Sequence, residues 1–419
     1  FEFSDSTLDE FFTLIIFIII YFLLIYFNKK IIKFLTRFLS IYIFAMFFIF
    51  LLNIFQFESN SEKKDFTNMN LNNLSNFNLV LINKNLNQTN IFLIVLDGMI
   101  NLEYAEKLKI IENKKSVEDY LKKDDYIYKD NFFSNYDVSY LSIASLLQSS
   151  YPVVEESRKY NNRKNFFPFF ILNEKKENNF FNILKKTKKN FFWLGNEWFF
   201  CKENLYINCL NEDPVYKKIS RLKLFYSDSI YIYLLNYYSP KKIDKEALNF
   251  LINPNLKLDK LNQNGNIFLI HALSPHPPFI FNQDCEIKDQ TKNISTNEEI
   301  KYYTYAYNCL LKILSNFTKI IEKKSEHNMF FVLGDHGWSF EKRIMNKVDL
   351  NPREARFKPF FSYKIPTKCK NISSPDSIVN VLRFALMCDG NKNLNYLEDI
   401  KFKSFYENDK DYGKVFIDN

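Results

Sequence analysis

Glycine is scarce in this chain, seven residues in 419, while Phe stands at 46. Together with an excess of Lys, Asn and Ile, this looks like nucleotide bias in the coding DNA rather than low-complexity disorder. Histidine is scarcer, at four, so each one is a candidate for chemistry. None of the six cysteines forms a CxxC pair, which excludes a zinc ribbon. No internal repeat occurs, so nothing supports an adhesive array. The net charge of +8 comes with no basic helix and no RNA or DNA motif. The lysines are scattered through polar positions, which describes a solvated surface and not a nucleic-acid footprint.

Charge is also missing from two N-terminal runs, Phe11 to Phe27 and Phe38 to Phe55. Each is long enough for the roughly 17 to 25 residues that cross a bilayer. Lys29, Lys30, Lys33 and Arg37 lie between them, and a basic loop belongs on the cytoplasmic side, which places everything after residue 56 outside. No basic segment precedes the first run and no small-residue cleavage site follows it, so it reads as a transmembrane helix rather than a signal peptide. The chain starts at Phe1 without an initiator Met, as a processed or partial sequence would, so two spans are read as a minimum. The cysteines, Cys201, Cys209, Cys285, Cys309, Cys369 and Cys388, all fall in the exported part, where an even number fits disulfides. The simplest pairing joins sequence neighbours, 201 with 209, 285 with 309 and 369 with 388.

The expected organisation is a membrane region at 1–56 with spans at 11–27 and 38–55, an Asn/Ser/Lys-rich linker at 57–89, and an exported catalytic domain at 90–419. In that domain strand-like apolar runs, Ile91 to Leu96, Phe191 to Leu194, Ile267 to Leu273 and Met329 to Leu333, alternate with helical patterns after Ser139, through 221–237 and through 300–322. A strand-like Phe360 to Ile365 and a helix over Ser377 to Met387 follow. Such alternation predicts an α/β fold, an α/β/α sandwich around a mainly parallel sheet.

Asn328 to Trp338, NMFFVLGDHGW, is the most informative stretch. Five apolar residues fit a strand buried on both faces, and Gly334 and Gly337 bracket the turn that ends it. Asp335 and His336 then sit at the strand's C-terminal edge, where open α/β sheets bind ligands. Ile91 to Met99, IFLIVLDGM, repeats the pattern with Asp97. Either turn alone is an ordinary turn. Two such edges in one sheet, one with a His, are more economically explained as a shared divalent-metal site.

The stretch Asn131 to Pro152 contains Ser139, Ser142 and Ser145 at a spacing of three. A helix starting near Ser139 would hold that hydroxyl at its N-terminus, which attracts phosphate. Bound also to a metal ion, the hydroxyl could attack phosphorus or sulfur; without the metal residues it would read as an N-cap. In FLIHALSPHPPFIF, His276 lies in a Pro-restrained loop and could bind phosphate or protonate a leaving oxygen, whereas His271 reads as a buried His bonded to backbone.

These four segments resemble the alkaline phosphatase superfamily, and within it the membrane-anchored sulfatase-like transferases that include lipoteichoic acid synthases and phosphoethanolamine transferases. The resemblance runs from about Asn90 to Asp399, with SYLSIASLL where the family usually has TxxSxxSLL, so Ser139 stands at a position commonly held by Thr. It implies Asp97, Ser139, Asp335 and His336 as ligands of one divalent metal ion, Zn²⁺ or Mn²⁺ with Mg²⁺ a further candidate. Ser139 would be the catalytic nucleophile, and His276 a second catalytic residue on a substrate-facing loop. Glu354 and Arg356 of REARF resemble a family segment without an assigned role. Ser139 lacks the Pro and Arg of a formylglycine motif, which demotes sulfate-ester hydrolysis.

The function implied is transfer of a phospholipid head group, of phosphoethanolamine or phosphoglycerol type, to a surface glycan or lipid, at a plasma or inner membrane with the domain on the periplasmic or extracellular side. Partners would be a phospholipid donor, a glycan or lipid acceptor and the membrane, with no nucleic acid. Alternatives are a phosphodiesterase, phosphatase or sulfatase-like hydrolase with the same ligands, and an inactive membrane-anchored binding protein.

Overall fold

The computed structural model describes residues 89–152, 166–172, 178–195, 205–210, 243–254, 265–288, 295–325, 327–391, 394–404 and 415–417, with isolated positions in the N-terminal region. The chain divides into two units, Phe1–Met69 and Asn70–Asn419. In the first, Ile18, Ile19, Phe22, Ser40, Tyr42 and Phe44 are helical and exposed; otherwise the two expected spans lie outside the described residues, as do residues 57–88 of the expected linker and the aromatic stretch 221–237. Among the described residues no helix is long and apolar enough to cross a membrane.

The second unit contains, in chain order, β1 (Asn90–Leu96), α1 (Leu102–Lys107), α2 (Lys114–Lys123), β2 (Ile127–Tyr128), α3 (Ser139–Gln148), α4 (Phe169–Leu172), α5 (Asn179–Thr187), β3 (Phe191–Gly195) and β4 (Ile207–Cys209). It continues with α6 (Ile243–Ile252), β5 (Ile267–Ala272), α7 (Thr296–Glu322), β6 (Asn328–Leu333), α8 (Lys342–Lys347), α9 (Pro352–Ala355), β7 (Phe361–Lys364), α10 (Val381–Cys388), β8 (Phe402–Ser404) and β9 (Val415–Ile417). Among the described residues seven strands form one sheet, in the order β2-β7-β6-β1-β5-β3-β4. The five from β6 to β4 are parallel neighbours; β7 runs antiparallel to β6 and to β2, so the sheet is mixed at one edge. β8 and β9 form a separate hairpin.

β1 is central because it is apolar on both faces. Phe92, Ile94 and Leu96 point into a core built with α1, α6 and α7. Ile91, Leu93 and Val95 point into the opposite core, with α3, α5 and α10. Alternate residues thus serve two helix layers, the α/β/α arrangement expected of an uninterrupted apolar strand in a parallel sheet. The abundant phenylalanine has a definite place here. Phe330, Phe92, Phe268 and Phe192 occupy one register line across β6, β1, β5 and β3. Their rings stack at 5.0, 4.7 and 5.0 Å between neighbouring centroids. Each such pair contributes about 0.5–1.5 kcal/mol beyond its buried area.

The expected single helix over Ser377 to Met387 is divided: a 3-10 turn covers Ile378–Asn380 before α10 begins. The side chain of Asn380 donates to the Leu397 carbonyl and accepts from the Leu397 N–H, which ties that turn to the C-terminal segment. Cys285 pairs with Cys309, and Cys369 with Cys388, as sequence neighbours should. Cys209 is also in a disulfide; Cys201 lies outside the described residues.

Candidate functional site

Because β1, β5 and β6 are parallel neighbours, their C-terminal ends meet at one edge of the sheet. Asp97 follows β1 directly, Asp335 and His336 follow β6 after Gly334, and His271 is the second-last residue of β5. The turn after Asp97 is held from above by α7. The Tyr303 hydroxyl donates to the Gly98 carbonyl at 2.7 Å and accepts from the Ile100 N–H at 3.0 Å, and Tyr307 donates to the Ile100 carbonyl at 3.0 Å. Gly98 takes a φ of +69°, and a Cβ there would lie 3.2 Å from the Trp338 ring.

The three expected acidic and imidazole ligands come together. Asp97, Asp335 and His336 each offer a ligand atom, and these atoms lie within 4.8 Å of one another, all buried. Each carboxylate is half used by the fold. Asp335 Oδ1 accepts the Gly98 N–H at 3.0 Å, and Asp97 Oδ2 lies 3.5 Å from His271 Nε2. The other two oxygens, Asp97 Oδ1 and Asp335 Oδ2, are fully buried without a hydrogen-bond partner. Burying carboxylate oxygens that way is costly unless a cation meets them. They face His336 Nε2, at 3.8 and 3.6 Å. The residues therefore fit a divalent cation with mixed oxygen and nitrogen ligands, the set that suits Zn²⁺ or Mn²⁺.

His336 is prepared for such a role. Its Nδ1 donates to the Gly337 carbonyl at 2.8 Å, which leaves Nε2 as the unprotonated nitrogen. Burial and the neighbouring Arg356 guanidinium hold the ring below the ordinary histidine range, against the opposing pull of Asp335 and Asp97. Burial pushes the Asp97 carboxyl up, but the charge on His276, a hydrogen bond from His271 and the charge on His336 outweigh it, and the group stays well below the usual carboxylate range.

Ser139 is the first residue of α3, preceded by Val138 as N-cap with no side-chain capping bond. Its hydroxyl is therefore not a cap; it reaches His336 Nε2 at 3.1 Å. The neighbouring serines differ. Ser142 donates to the Tyr136 carbonyl, in the segment just before α3, at 2.9 Å, and Ser145 to the Ser142 carbonyl within α3 at 2.8 Å. His276 is half-buried on the wall of the site. Its backbone N–H donates to the Asp97 carbonyl at 3.1 Å, its Nδ1 meets the Pro277 carbonyl, and its ring packs edge-on against Trp338 at 4.7 Å. Trp338 Nε1 in turn donates to Glu299 at 3.1 Å.

Two residues that sequence reasoning undervalued belong here. His271 is not simply a backbone-bonded core histidine, since its Nε2 faces Asp97 Oδ2. Its signal was a polar residue in the last turn of an otherwise apolar strand. Arg356 donates from Nε and Nη2 to the Asp137 carbonyl, at 3.2 and 2.7 Å, and Nη2 lies 3.4 Å from His336 Nε2. The loop carrying His336 and the turn carrying Arg356 are joined tightly. Gly337 N–H donates to the Arg356 carbonyl at 2.8 Å, and a Cβ on Gly337 would lie 1.9 Å from the Ala355 carbonyl oxygen. Gly337→Ala is accordingly expected to destabilise the protein by about 1–3 kcal/mol, read as a lowered urea midpoint with unchanged slope.

No family model matches the chain, and no curated protein matches it. Solved structures do. The zinc-complexed periplasmic domain of EptC from Escherichia coli is 11% identical, covering 82% of this chain and 95% of that one at a TM-score of 0.49. The periplasmic domain of the phosphoethanolamine transferase EptC from Campylobacter jejuni is 16% identical, covering 74% and 90% at 0.45. The lipoteichoic acid synthase LtaP from Listeria monocytogenes is 13% identical, covering 80% and 82% at 0.45.

Proposed function

We propose that this protein is a metal-dependent phosphotransferase that carries a phospholipid-derived head group through a covalent phospho-Ser139 to a surface glycan or lipid. The observation that carries the reading is the Ser139 hydroxyl, turned from its own helix to within 3.1 Å of a ring nitrogen beside two unpartnered buried carboxylate oxygens. A capping serine would not be placed so. Asp97, Asp335, His336 and Ser139 would hold the ion, which when bound supplies Lewis acidity to the hydroxyl and offsets charge on the phosphate.

In the first displacement Ser139 Oγ bonds to phosphorus as the bond from phosphorus to the diacylglycerol oxygen breaks. The hydroxyl's proton is in balance passed to that oxygen, with His276 as the donor at the wall. The N-terminus of α3 places helix N–H groups toward the phosphoryl oxygens. In the second displacement an acceptor hydroxyl attacks the same phosphorus, the Oγ–phosphorus bond breaks, and the acceptor's proton restores Ser139. A lipid donor suits a domain tethered by the two apolar runs at 11–27 and 38–55, and the disulfides suit an oxidising, extracytoplasmic compartment.

Incubating the detergent-solubilised full chain with Mn²⁺ or Zn²⁺ and labelled phospholipids, with and without a glycan acceptor, tests the reading. Metal-dependent diacylglycerol release with label on the acceptor is expected. Label passing only to water would make the protein a hydrolase, and silence with every head group would reject the proposal.

A further inference from the structure

We propose that Glu299 and Trp338 are positioning residues that act through His276, holding its imidazole where it delivers a proton to the leaving oxygen; this rests on the phosphotransfer reading above. The His276 backbone N–H donates to the Asp97 carbonyl at 3.1 Å and Nδ1 is held at the Pro277 carbonyl, so Nε2 is the ring nitrogen left for a substrate. The tilt of the ring is then set by Trp338, which meets it at 4.7 Å and 73°. The indole is itself wedged. A Cβ on Gly98 would lie 3.2 Å from the indole and 3.8 Å from the His276 Cβ, so both side chains lie against the residue that follows Asp97. Trp338 Nε1 is tied to α7, where it donates to Glu299 Oε1 at 3.1 Å.

Helix α7 is placed to serve this end. Glu299, Tyr303 and Tyr307 recur at a spacing of four and therefore share one face. Tyr303 and Tyr307 bond the backbone of Gly98 and Ile100, and Glu299 bonds the indole that lies on the same turn. The far end of the His276 loop is joined to that helix as well, by the disulfide between Cys285 and Cys309. One helix thus carries the turn after Asp97, the end of the loop and, through Trp338, the imidazole. Helix capping does not account for Glu299. The first turn already has its acid in Glu298, which closes a capping box with Ser295 and accepts its N–H at 3.1 Å. Glu299 is half-buried and makes no ion pair among the described residues; its carboxylate is used on the indole.

The test compares Glu299→Ala, Glu299→Gln and Trp338→Phe with wild type in the metal-loaded full-length protein, on a phospholipid and on bis(p-nitrophenyl) phosphate. Nitrophenolate departs without a proton, so the second substrate does not need His276 as a donor. Glu299→Ala and Trp338→Phe are expected to lower kcat for diacylglycerol release by at least roughly tenfold, at near-constant KM and unchanged metal content. On the nitrophenyl ester the loss should stay under about twofold. Glu299→Gln, whose amide oxygen still accepts the indole N–H, should recover most of the lipid rate. Equal losses on both substrates, or a Gln variant as slow as the Ala variant, would overturn the inference. Histidine-labelled protein gives a readout that needs no turnover. With Zn²⁺ bound, the His276 ring resonances should shift in Glu299→Ala and return toward wild type in Glu299→Gln; an unmoved His276 would also overturn the inference. If Trp338→Phe fails to fold or to load metal, the two Glu299 variants decide by the same measures. His276 shifts of this kind in a protein that cleaves neither substrate would sink the phosphotransferase reading alone. Turnover of both substrates with His276 unmoved would sink this inference alone.

Discussion

Ser139→Ala is expected to lower kcat by at least roughly 10⁴-fold while leaving the fold close to wild type. The size follows from the neighbouring hydroxyls of α3, which are not available as substitutes. Ser142 and Ser145 spend their hydroxyls on the Tyr136 and Ser142 carbonyls. Any residual rate would come from direct attack of acceptor or water on a bound diester. The modest structural effect follows from the same geometry, because Ser139 makes no capping bond and its hydroxyl bonds to His336 Nε2, a contact worth about 1 kcal/mol. Activity should therefore vanish without a matching loss of thermal stability, and circular dichroism melts beside the phospholipid assay would show it. A variant that retained turnover would move the nucleophile elsewhere.

Asp335→Asn should have the largest effect on metal. One oxygen of Asp335 accepts the Gly98 N–H, and the other is fully buried and unpartnered, so the charge has no structural use that an amide lacks. Asparagine keeps the bond from Gly98 and would place its NH₂ near His336 Nε2, which lies 3.6 Å from Oδ2. The metal-free variant is thus expected to melt at or above the metal-free wild type, because a neutral amide replaces a buried carboxylate. The holo forms should differ in the opposite sense. An ion at about a thousandfold its Kd stabilises the native state by about 4 kcal/mol, so chelation should lower the wild-type Tm by several degrees and leave the variant unmoved. A metal-dependent rise in Tm that survived in Asp335→Asn would contradict the ligand set.

The central strands were legible because a strand buried on both faces of a parallel sheet is written as an unbroken apolar run, and in β1 and β6 that run stops at the residue that carries chemistry. The edge of the same sheet was not. β2 and β4, of two and three residues, are too short to show a period, and the antiparallel turn of β7 depends on pairing that sequence does not display. Phenylalanine blurred the helices. It stands on the inner faces of α5 and α6 as well as in every central strand, so α1, α2, α5 and α6 did not stand out from a Lys- and Asn-rich background. His271 and Arg356 were hidden by distance along the chain. Register brings His271 opposite Val95, two residues before Asp97. The pairing of Leu333 with Phe361 closes the segment between β6 and β7, and thereby returns Arg356 to His336.

The proposed phosphotransfer passes through a covalent bond to one oxygen atom. Quenching the metal-loaded protein in acid during turnover of a labelled phospholipid, then mapping its peptides by mass spectrometry, measures that bond directly. The proposed mechanism predicts a head-group phosphate adduct on the peptide containing Ser139, formed only with metal present and discharged when acceptor is added. Turnover with that peptide unmodified, or with the adduct on another residue, would contradict it.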